Sequence, residues 1–511
     1  MDAIDLSLFS SRVNAVCDEM GAVLKRTALS PNIRDRLDYS CALFDTRGEL
    51  CAQAAHIPVH LGSMAFATRN IVSRFNWHPG DMVILNNPFL GGTHLPDITL
   101  LMPVFLEEKL AAFVVNRAHH ADIGSESPGS MPVSSRLEEE GVLIDPQKIL
   151  DRGKTINDVM AGIVIKVRSP ETFMGDLAAQ ISANRAGAKR LALLGYTDNE
   201  LTDRLVALND YAERLAHAAL RHIPDGCYEY TDFLDDDGYG NHDLAICVTL
   251  RVSDGNVCVD FNGTANQTEG NINCPLAVTA AAVYYVFRCL MPEDTPPAAG
   301  SFRNIQLRAP QTCLVNAQYP AAIAAGNVET SSRIVDAVLG ALAKALPTII
   351  PAASQGTMNN VAMGGGTADK LWDYYETIGG GTGAHAAGNG LSGVQSHMTN
   401  TLNTPVERVE MSYPLRILRY QLRRESGGDG MHKGGAGLLR EYEFLADTSV
   451  TLLTERRRRS PWGLAGGKPA SCGENRLNET MLPGKTTVKV KCGDRLTIKT
   501  PGGGGWGNSQ K

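Results

Sequence analysis

Beyond residue 350 the chain places a glycine at about every sixth position, and 28 of its 51 glycines fall in that stretch. Proteins on average carry about 7%. Glycine loses more backbone freedom on folding than any other residue and is about 1 kcal/mol worse than alanine inside a helix. A plain helical bundle is therefore excluded for the C-terminal third. A collagen-like rod is excluded as well, because no G-X-Y period appears. The expectation is a glycine-rich, β-dominated region in which most glycines form positive-φ turns between strands and others shape a substrate cavity or subunit contacts.

Glycine-rich loops also cradle phosphates, but the spacing here does not match that use. The nearest match to a P-loop is Pro483-Gly484-Lys485-Thr486, but the glycine required five residues before Gly484 is Glu479. Gly427-Gly428-Asp429-Gly430 and Gly434-Gly435-Ala436-Gly437 do not open a helix after a strand, so a dinucleotide fold is unsupported too. Any nucleotide is expected on a partner.

The remaining composition is that of an ordinary globular chain. The 48 basic against 55 acidic residues give a formal charge of −7, which argues against coating nucleic acid or anionic lipid. The 11 cysteines are odd in number and form no C-x-x-C pair, so they read as buried free thiols of a reducing compartment. The N-terminus is acidic and amphipathic, unlike a signal peptide. The most apolar helical stretch, Leu276 to Met291, is too short for a bilayer needing about 20 residues, so a cytoplasmic location is expected.

Periodicity predicts an α+β chain of four blocks. A metal-site region spans 1–150, a helical region 151–225, a mixed α/β region 226–350, and the glycine-rich β region 351–511, with boundaries soft enough for one packed unit. Apolar residues at three- and four-residue spacings predict helices over 6–28, 62–75, 171–194, 199–221, 276–290 and 330–346. Hairpins are predicted for 39–44 with 49–54 and for 98–105 with 110–118, and a strand for Met82 to Leu85. Later strands are predicted at 247–252, 257–261, 439–444, 450–454 and 486–498.

The densest ionisable chemistry lies in Gly91-Gly92-Thr93-His94-Leu95-Pro96-Asp97 and Arg117-Ala118-His119-His120-Ala121-Asp122. Imidazole with carboxylate suits Zn, Mn or Fe. If the hairpin turns on Glu107-Glu108-Lys109, paired residues sum to 216 and Asp97 faces His119; a two-residue turn would put them on opposite faces. His94, three residues earlier in a glycine-flanked loop, can fold back to the same centre. His120 and Asp122 are expected to orient the ligands or move a proton. Asp38 offers a further carboxylate, with Asp35 beside it as a cap or salt-bridge partner. His56, His60, Glu376 and His385 are candidates for the substrate wall, with Glu329 and Arg333 as lesser ones. Arg456 to Arg459 reads as a solvated or subunit-facing basic patch.

These runs also carry a resemblance. Asn86-Asn87-Pro88-Phe89-Leu90 leading into Gly91 to Asp97, Arg117 to Gly124, Ser127-Pro128-Gly129-Ser130-Met131-Pro132, Ala325 to Ser331, Pro351 to Asn360, Tyr375 to Gly381, Met398 to Thr401 and Pro501 to Gly505 resemble the hydantoinase B/oxoprolinase family. The resemblance covers nearly the whole chain. It implies a divalent metal, manganese or zinc, at His94, Asp97 and His119, with Asp38 as a fourth, less secure position. It also implies a hydantoinase A-type nucleotide-binding partner subunit that holds ATP and Mg, in a hetero-oligomer such as a heterotetramer. The implied reaction is ATP-dependent opening of a cyclic amide such as hydantoin or 5-oxoproline. Relatives carboxylate ketones, and a scaffold subunit with a structural metal is a third reading. The chain departs from the family at Asn87, Phe89, His385 and Lys433.

Overall fold

The computed structural model describes residues 3–54, 57–367 and 370–509. Seven antiparallel strands form the first sheet: β1 (Tyr39–Phe44), β2 (Leu50–Ala54), β3 (Met82–Leu85), β4 (Asp97–Leu106), β5 (Lys109–His119), β6 (Gln147–Asp151) and β7 (Lys154–Thr155). They run in the order β2-β1-β5-β4-β3-β6-β7. Its central strands read as near-continuous apolar runs because both faces are covered, a pattern more familiar from parallel sheets.

On one face lies α1 (Ala3–Thr27), whose stripe of Phe9, Val13, Val16, Met20 and Leu24 is buried against β1, β2 and β5. The short α2 (Pro31–Arg34) follows it, and α3 (His60–Val72) covers the opposite face. After α4 (Asn157–Val164), the long helices α5 (Pro170–Ala192) and α6 (Asp198–Leu220) return to the α1 face. The helical block predicted for 151–225 is therefore the second layer of the first sheet.

The β4–β5 hairpin reaches the expected facing by an unexpected route. Its turn has two residues, Glu107 and Glu108, both at positive φ, as a tight hairpin turn requires. Pairing sums are accordingly 215 at the tip, where Leu106 faces Lys109. A bulge then intervenes between Phe105↔Leu110 and Val104↔Ala112, leaving Ala111 extra on β5. The sum becomes 216 for the rest of the ladder, and Asp97 pairs with His119.

A second sheet combines β8 (Gly226–Asp236), β9 (His242–Ser253), β10 (Asn256–Asp260) and β11 (Ile305–Arg308), backed by α7 (Leu276–Arg288) and α8 (Ser331–Ala345). Two further sheets pack face to face. One holds β12 (Asn360–Thr367), β13 (Lys370–Glu376), β16 (Thr448–Leu453) and β19 (Lys485–Val490). The other holds β14 (Leu415–Arg423), β15 (Gly437–Phe444), β17 (Glu474–Leu477), β18 (Thr480–Leu482) and β20 (Arg495–Lys499). Val361, Met363, Tyr442, Phe444, Val450, Leu496 and Ile498 fill the space between them. The strand predicted over 486–498 is two strands, split by a turn at Gly493 (φ 91°).

The glycine-rich region corrects the turn reading. Few of its glycines have positive φ. Instead, bare backbone segments pack against one another: a Cβ on Gly381 would stand 1.9 Å from the Gly435 carbonyl oxygen, and one on Gly434 1.8 Å from that of Gly503. The segments bond in several directions: Gly435 N–H donates to Thr382, Gly503 to Gly435, Gly428 to Gly503 and Gly504 to Ala353. No side chain would fit among these rods.

Two smaller expectations also change. Arg456 is buried and paired with Asp232 (2.9 Å) and Asp336 (2.6 Å), so the basic run is not a wholly solvated patch. Five cysteines are buried, but Cys227, Cys289 and Cys492 are exposed. Among the described residues no helix is long and apolar enough to cross a membrane.

Candidate metal centre

Three backbone segments lie side by side where the interior strands β1, β5 and β4 of the first sheet begin or end. Tyr39 pairs with Ala118, and the His119 N–H donates to the Asp38 carbonyl (3.0 Å), so Asp38, His119 and Asp97 stand in adjacent rows. Strand alternation turns Asp97 and His119 to the same face as Thr99, Leu101, Val115 and Arg117, the face covered by α3. His94 arrives on a loop that Asn86 staples shut. The Asn86 amide donates to the carbonyls of Leu95 and Val142 and accepts from the Ile144 N–H. Gly92 is required there, since a Cβ would lie 2.3 Å from the Asn86 carbonyl oxygen. Arg117, fully buried, locks the arrangement by donating to Thr99 (2.9 Å), Ser63 on α3 (2.7 Å) and the Gly91 carbonyl (2.9 Å).

The ligand atoms of His94, Asp97 and His119 lie within 4.8 Å of one another. His94 Nε2 is 3.3 Å from Asp97 Oδ1, and His60 Nε2 is 3.5 Å from Asp97 Oδ2. Thr93 donates its hydroxyl to Asp97. His119 stacks on the Tyr375 ring (5.0 Å, 4°), and its Nδ1 meets the Asn32 amide at 3.1 Å. His94 Nε2, His119 Nε2, His60 Nε2 and Asp97 Oδ1 are all buried without a hydrogen-bond partner. Orphaned buried donors and acceptors are rare in a folded interior, and three converging atoms, from His94, Asp97 and His119, are what a cation site requires. The donor set fits a divalent metal of the Zn, Mn or Fe kind.

The electrostatics suit ligation at His119 and Asp97, while a cation would have to displace the proton that Asp97 favours on His94. Burial pushes His119 well below the usual imidazole range, and the positive His94 and Arg36 add to it, so its ring is neutral. For His94 burial acts in the same sense but is outweighed by the nearby carboxylate of Asp97, with Asp38 adding, and the net shift is upward. Asp97 is held well below the carboxylate range, because His94 and His60 overcome its burial. Asp38 rises through burial, with Arg36 opposing and Asp97 adding.

The cavity around these groups is lined by Asp38, His60, His94, Asp97 and His119 on one side and by Val328, Met358, Tyr375 and Met398 on the other. It measures about 20 Å³, room for about one water. His60 thus lies beside Asp97, anchored by Ser40 (2.9 Å), and is a further possible ligand. His56 lies outside the described residues.

The other expected site residues are placed elsewhere. His120 points to the opposite face, because alternation that turns His119 in turns its neighbour out; its Nε2 bonds Gln180 on α5 (2.8 Å). Asp122 instead accepts from Ser130 and from the Gly124 and Arg168 N–H groups, organising the loop after β5. Glu376 sits between two wall residues but faces away, bonded to Arg440 (3.1 Å), Tyr442 (3.0 Å) and Asn403 (2.8 Å). His385 is exposed. None of these four lines the cavity. Glu329 and Arg333 are buried, and neither lines it. Lys485 of the near-P-loop is engaged with Glu455 at 2.6 Å. Asn32, Arg117 and Asn327 carry no role in the sequence reading, although Arg117 and Asn327 lie in quoted runs, because the groups they meet come from distant segments that no local spacing encodes.

Fold and site together define a class: an α+β protein with a buried two-histidine, one-carboxylate donor set at the ends of interior sheet strands. The chain belongs to the hydantoinase B/oxoprolinase family, whose profile matches residues 2–509. The 5-oxoprolinase 1 of Arabidopsis thaliana is 39% identical over 99% of this chain, which spans only 42% of that protein's length. The ATP-dependent caprolactamase from Pseudomonas jessenii superposes with a TM-score of 0.92 at 28% identity, over 99% of this chain and 91% of that one. An acetone carboxylase chain matches with a TM-score of 0.87 at 19% identity, over 99% and 76%, a likeness of fold.

Proposed function

We propose that this chain is the metal-bearing part of an ATP-dependent enzyme that opens a cyclic amide, hydantoin, 5-oxoproline or a related lactam. The observation that carries the reading is the convergence of unpartnered buried atoms of His94, Asp97 and His119 in one cavity. A divalent metal, manganese or zinc, held by His94, Asp97 and His119 with Asp38 beside them, would supply Lewis-acid polarisation and water activation. Asn32 and the Tyr375 ring hold His119 in orientation, and Thr93 holds Asp97. Ile57, Val59, Val328, Met358 and Met398 keep bulk water from the reacting carbonyl.

Nucleotide and Mg fall to a separate hydantoinase A-type subunit in a hetero-oligomer such as a heterotetramer, in the cytoplasm. Two observations support the division. Lys485, in the nearest match to a phosphate loop, is tied to Glu455, and the plant 5-oxoprolinase is more than twice the length of this chain. Four regions, 1–150, 151–225, 226–350 and 351–511, remain the working division of the chain. The match over 91% of the caprolactamase chain against 76% of the carboxylase favours hydrolysis over ketone carboxylation.

The test is to purify the chain with its partner and measure metal content and ATP-dependent ring opening for wild type and His119→Ala. Full metal occupancy and full activity in the variant would sink the assignment. Labelled bicarbonate appearing in product would favour the carboxylase. Metal with no exchangeable water position would favour a scaffold role.

A further inference from the structure

The turn that leads into α8 is a π-turn, Gly326–Thr330, and it delivers Asn327 to the wall of the cavity that holds His94, Asp97 and His119. Asn327 is 3% exposed, and its Oδ1 has no hydrogen-bond partner. Among the described lining residues, the other unpartnered buried side-chain atoms all belong to His60, His94, Asp97 and His119. The remaining polar wall is already engaged: the Thr377 hydroxyl meets Arg36 and Thr401, and that of Thr399 meets Thr401. Asn327 Oδ1 is thus the one unmet acceptor of the wall outside the cation cluster. An unmet buried acceptor is unfavourable to folding and calls for a use outside the fold.

The backbone around it is pinned on every side. The N–H groups of Ala325 and Gly326 both donate to the Asn271 carbonyl, and a Cβ on Gly326 would lie 1.8 Å from the Asn273 carbonyl oxygen. Glu329, on the same turn, accepts from the Met358 N–H (3.0 Å) and the Asn360 amide (2.7 Å). Ser331 and Ser332 donate to the carbonyls of Asn327 and Val328. Such an acceptor is held ready before any ligand arrives. π-turns inside helices gather at functional sites.

A ring amide is cis, so its carbonyl oxygen and its N–H lie on one edge of the ring. The oxygen is suited to the cation cluster, and the N–H needs an acceptor that is not itself a ligand. We propose that Asn327 reads this N–H on Oδ1 and makes the protein selective for cyclic amides that are unsubstituted at nitrogen. The inference rests on the cyclic-amide reading above. The cavity holds about one water, so a ring enters only as the wall moves; Met358 and Met398, beside the branched Ile57, Val59 and Val328, are the unbranched side chains that can change rotamer to admit it.

The experiment pairs 5-oxoproline and caprolactam with their N-methyl counterparts. Ring opening is followed with the chain and its partner, and binding by saturation-transfer NMR on the Zn(II)-loaded chain alone. The wild type is expected to favour the N–H ring about tenfold or more, the range of one buried hydrogen bond. Asn327→Ala should lower kcat/KM and binding for the N–H ring by a similar factor and leave the N-methyl ring within about twofold, with metal content unchanged. Asn327→Asp, which keeps the acceptor, should retain the preference, and Asn327→Ser replaces the alanine variant if that one does not fold. A wild type that does not distinguish or does not bind the rings overturns the inference, as do equal losses on both rings. Selective binding without ring opening would instead leave Asn327 standing and sink the hydrolase reading.

Discussion

Glu140 offers a quantitative test of how the cavity wall is built. Its side chain is fully buried, and Oε1 accepts from Ser134 Oγ (2.8 Å) and from the N–H groups of Ile323 (2.8 Å) and Ala324 (3.0 Å), on the segment entering the π-turn. Its Oε2 has no partner. Burial pushes the carboxyl up from 4.5 to about 7, against the pull of those donors. The folded chain therefore holds a proton that the unfolded chain has released between about pH 4.5 and 7, and stability falls as pH rises through that window. At about 1.36 kcal/mol per pH unit the whole window is worth about 3 kcal/mol. Glu140→Gln keeps the Oε1 acceptor, places an N–H where the carboxylic O–H stood, and removes the titration. An unfolding entropy of about 2.1 cal/mol/K per residue over 511 residues makes 3 kcal/mol about 3 °C in Tm. Thermal melts of chelator-treated protein between pH 5 and 8, at a fixed scan rate, should show the glutamine variant gaining about 2–3 °C on wild type as pH rises. A Tm difference that stays constant across that range would refute the burial argument.

Other outcomes follow from the same packing. His120→Phe should leave bound metal within about twofold of wild type while costing about 1–3 kcal/mol for the unmet Gln180 oxygen; loss of metal in inductively coupled plasma analysis would contradict the facing described. Gly503→Ala, whose Cβ would stand 1.9 Å from the Thr382 carbonyl oxygen, should lose about 3 kcal/mol or more and most of its soluble yield. Gly162→Ala, in α4 with open space around it, should instead gain about 0.5–1 kcal/mol in the same melts. Thr197→Ala, which removes the capping box with Glu200 at the start of α6, should cost about 1 kcal/mol, read as earlier exchange of the first-turn amides.

Much of the N-terminal half was legible because its elements are long and periodic. The helix predicted over 171–194 spans Pro170–Ala192, and the strand Met82–Leu85 has the expected ends. Elsewhere local pattern and tertiary demand diverged. The facing of Asp97 and His119 was anticipated, but from a three-residue turn; the chain uses a two-residue turn and repairs the register with Ala111. Adjacent histidines in a strand must point to opposite faces, so His119 and His120 could not serve one cavity. β12 escaped notice because Gly364, Gly365 and Gly366 suppress any strand signal; a Cβ on Gly364 would meet Pro128 at 2.4 Å, so space beneath the strand decides its composition. His60 was placed at the wall but its approach to Asp97 depends on α3 closing over the sheet, which no local spacing encodes. Arg456 looked solvated among four arginines, yet Asp232 and Asp336, more than a hundred residues away in sequence, draw it inside.

The glycine rods also bear on the order in which the molecule is made. Gly502 to Gly505 run through the middle of that bundle, and bonds or close contacts tie them to Ala353, Thr382, Ser426, Gly435, Trp462 and Lys468. Each of those segments emerges from the ribosome well before the strand they surround. Until residue 505 is synthesised, the Ala353, Gly435 and Lys468 carbonyls and the Ala384 and Gly428 N–H groups lack the partners this segment gives them, although bonds such as Gly435 N–H to Thr382 already join the segments around it. Closing the bundle is a set of long loops made for one central thread, the slow kind of folding step. The segment Gly502 to Gly505 is therefore the keystone of the bundle, and a nascent chain paused before it would leave those backbone groups open to aggregation.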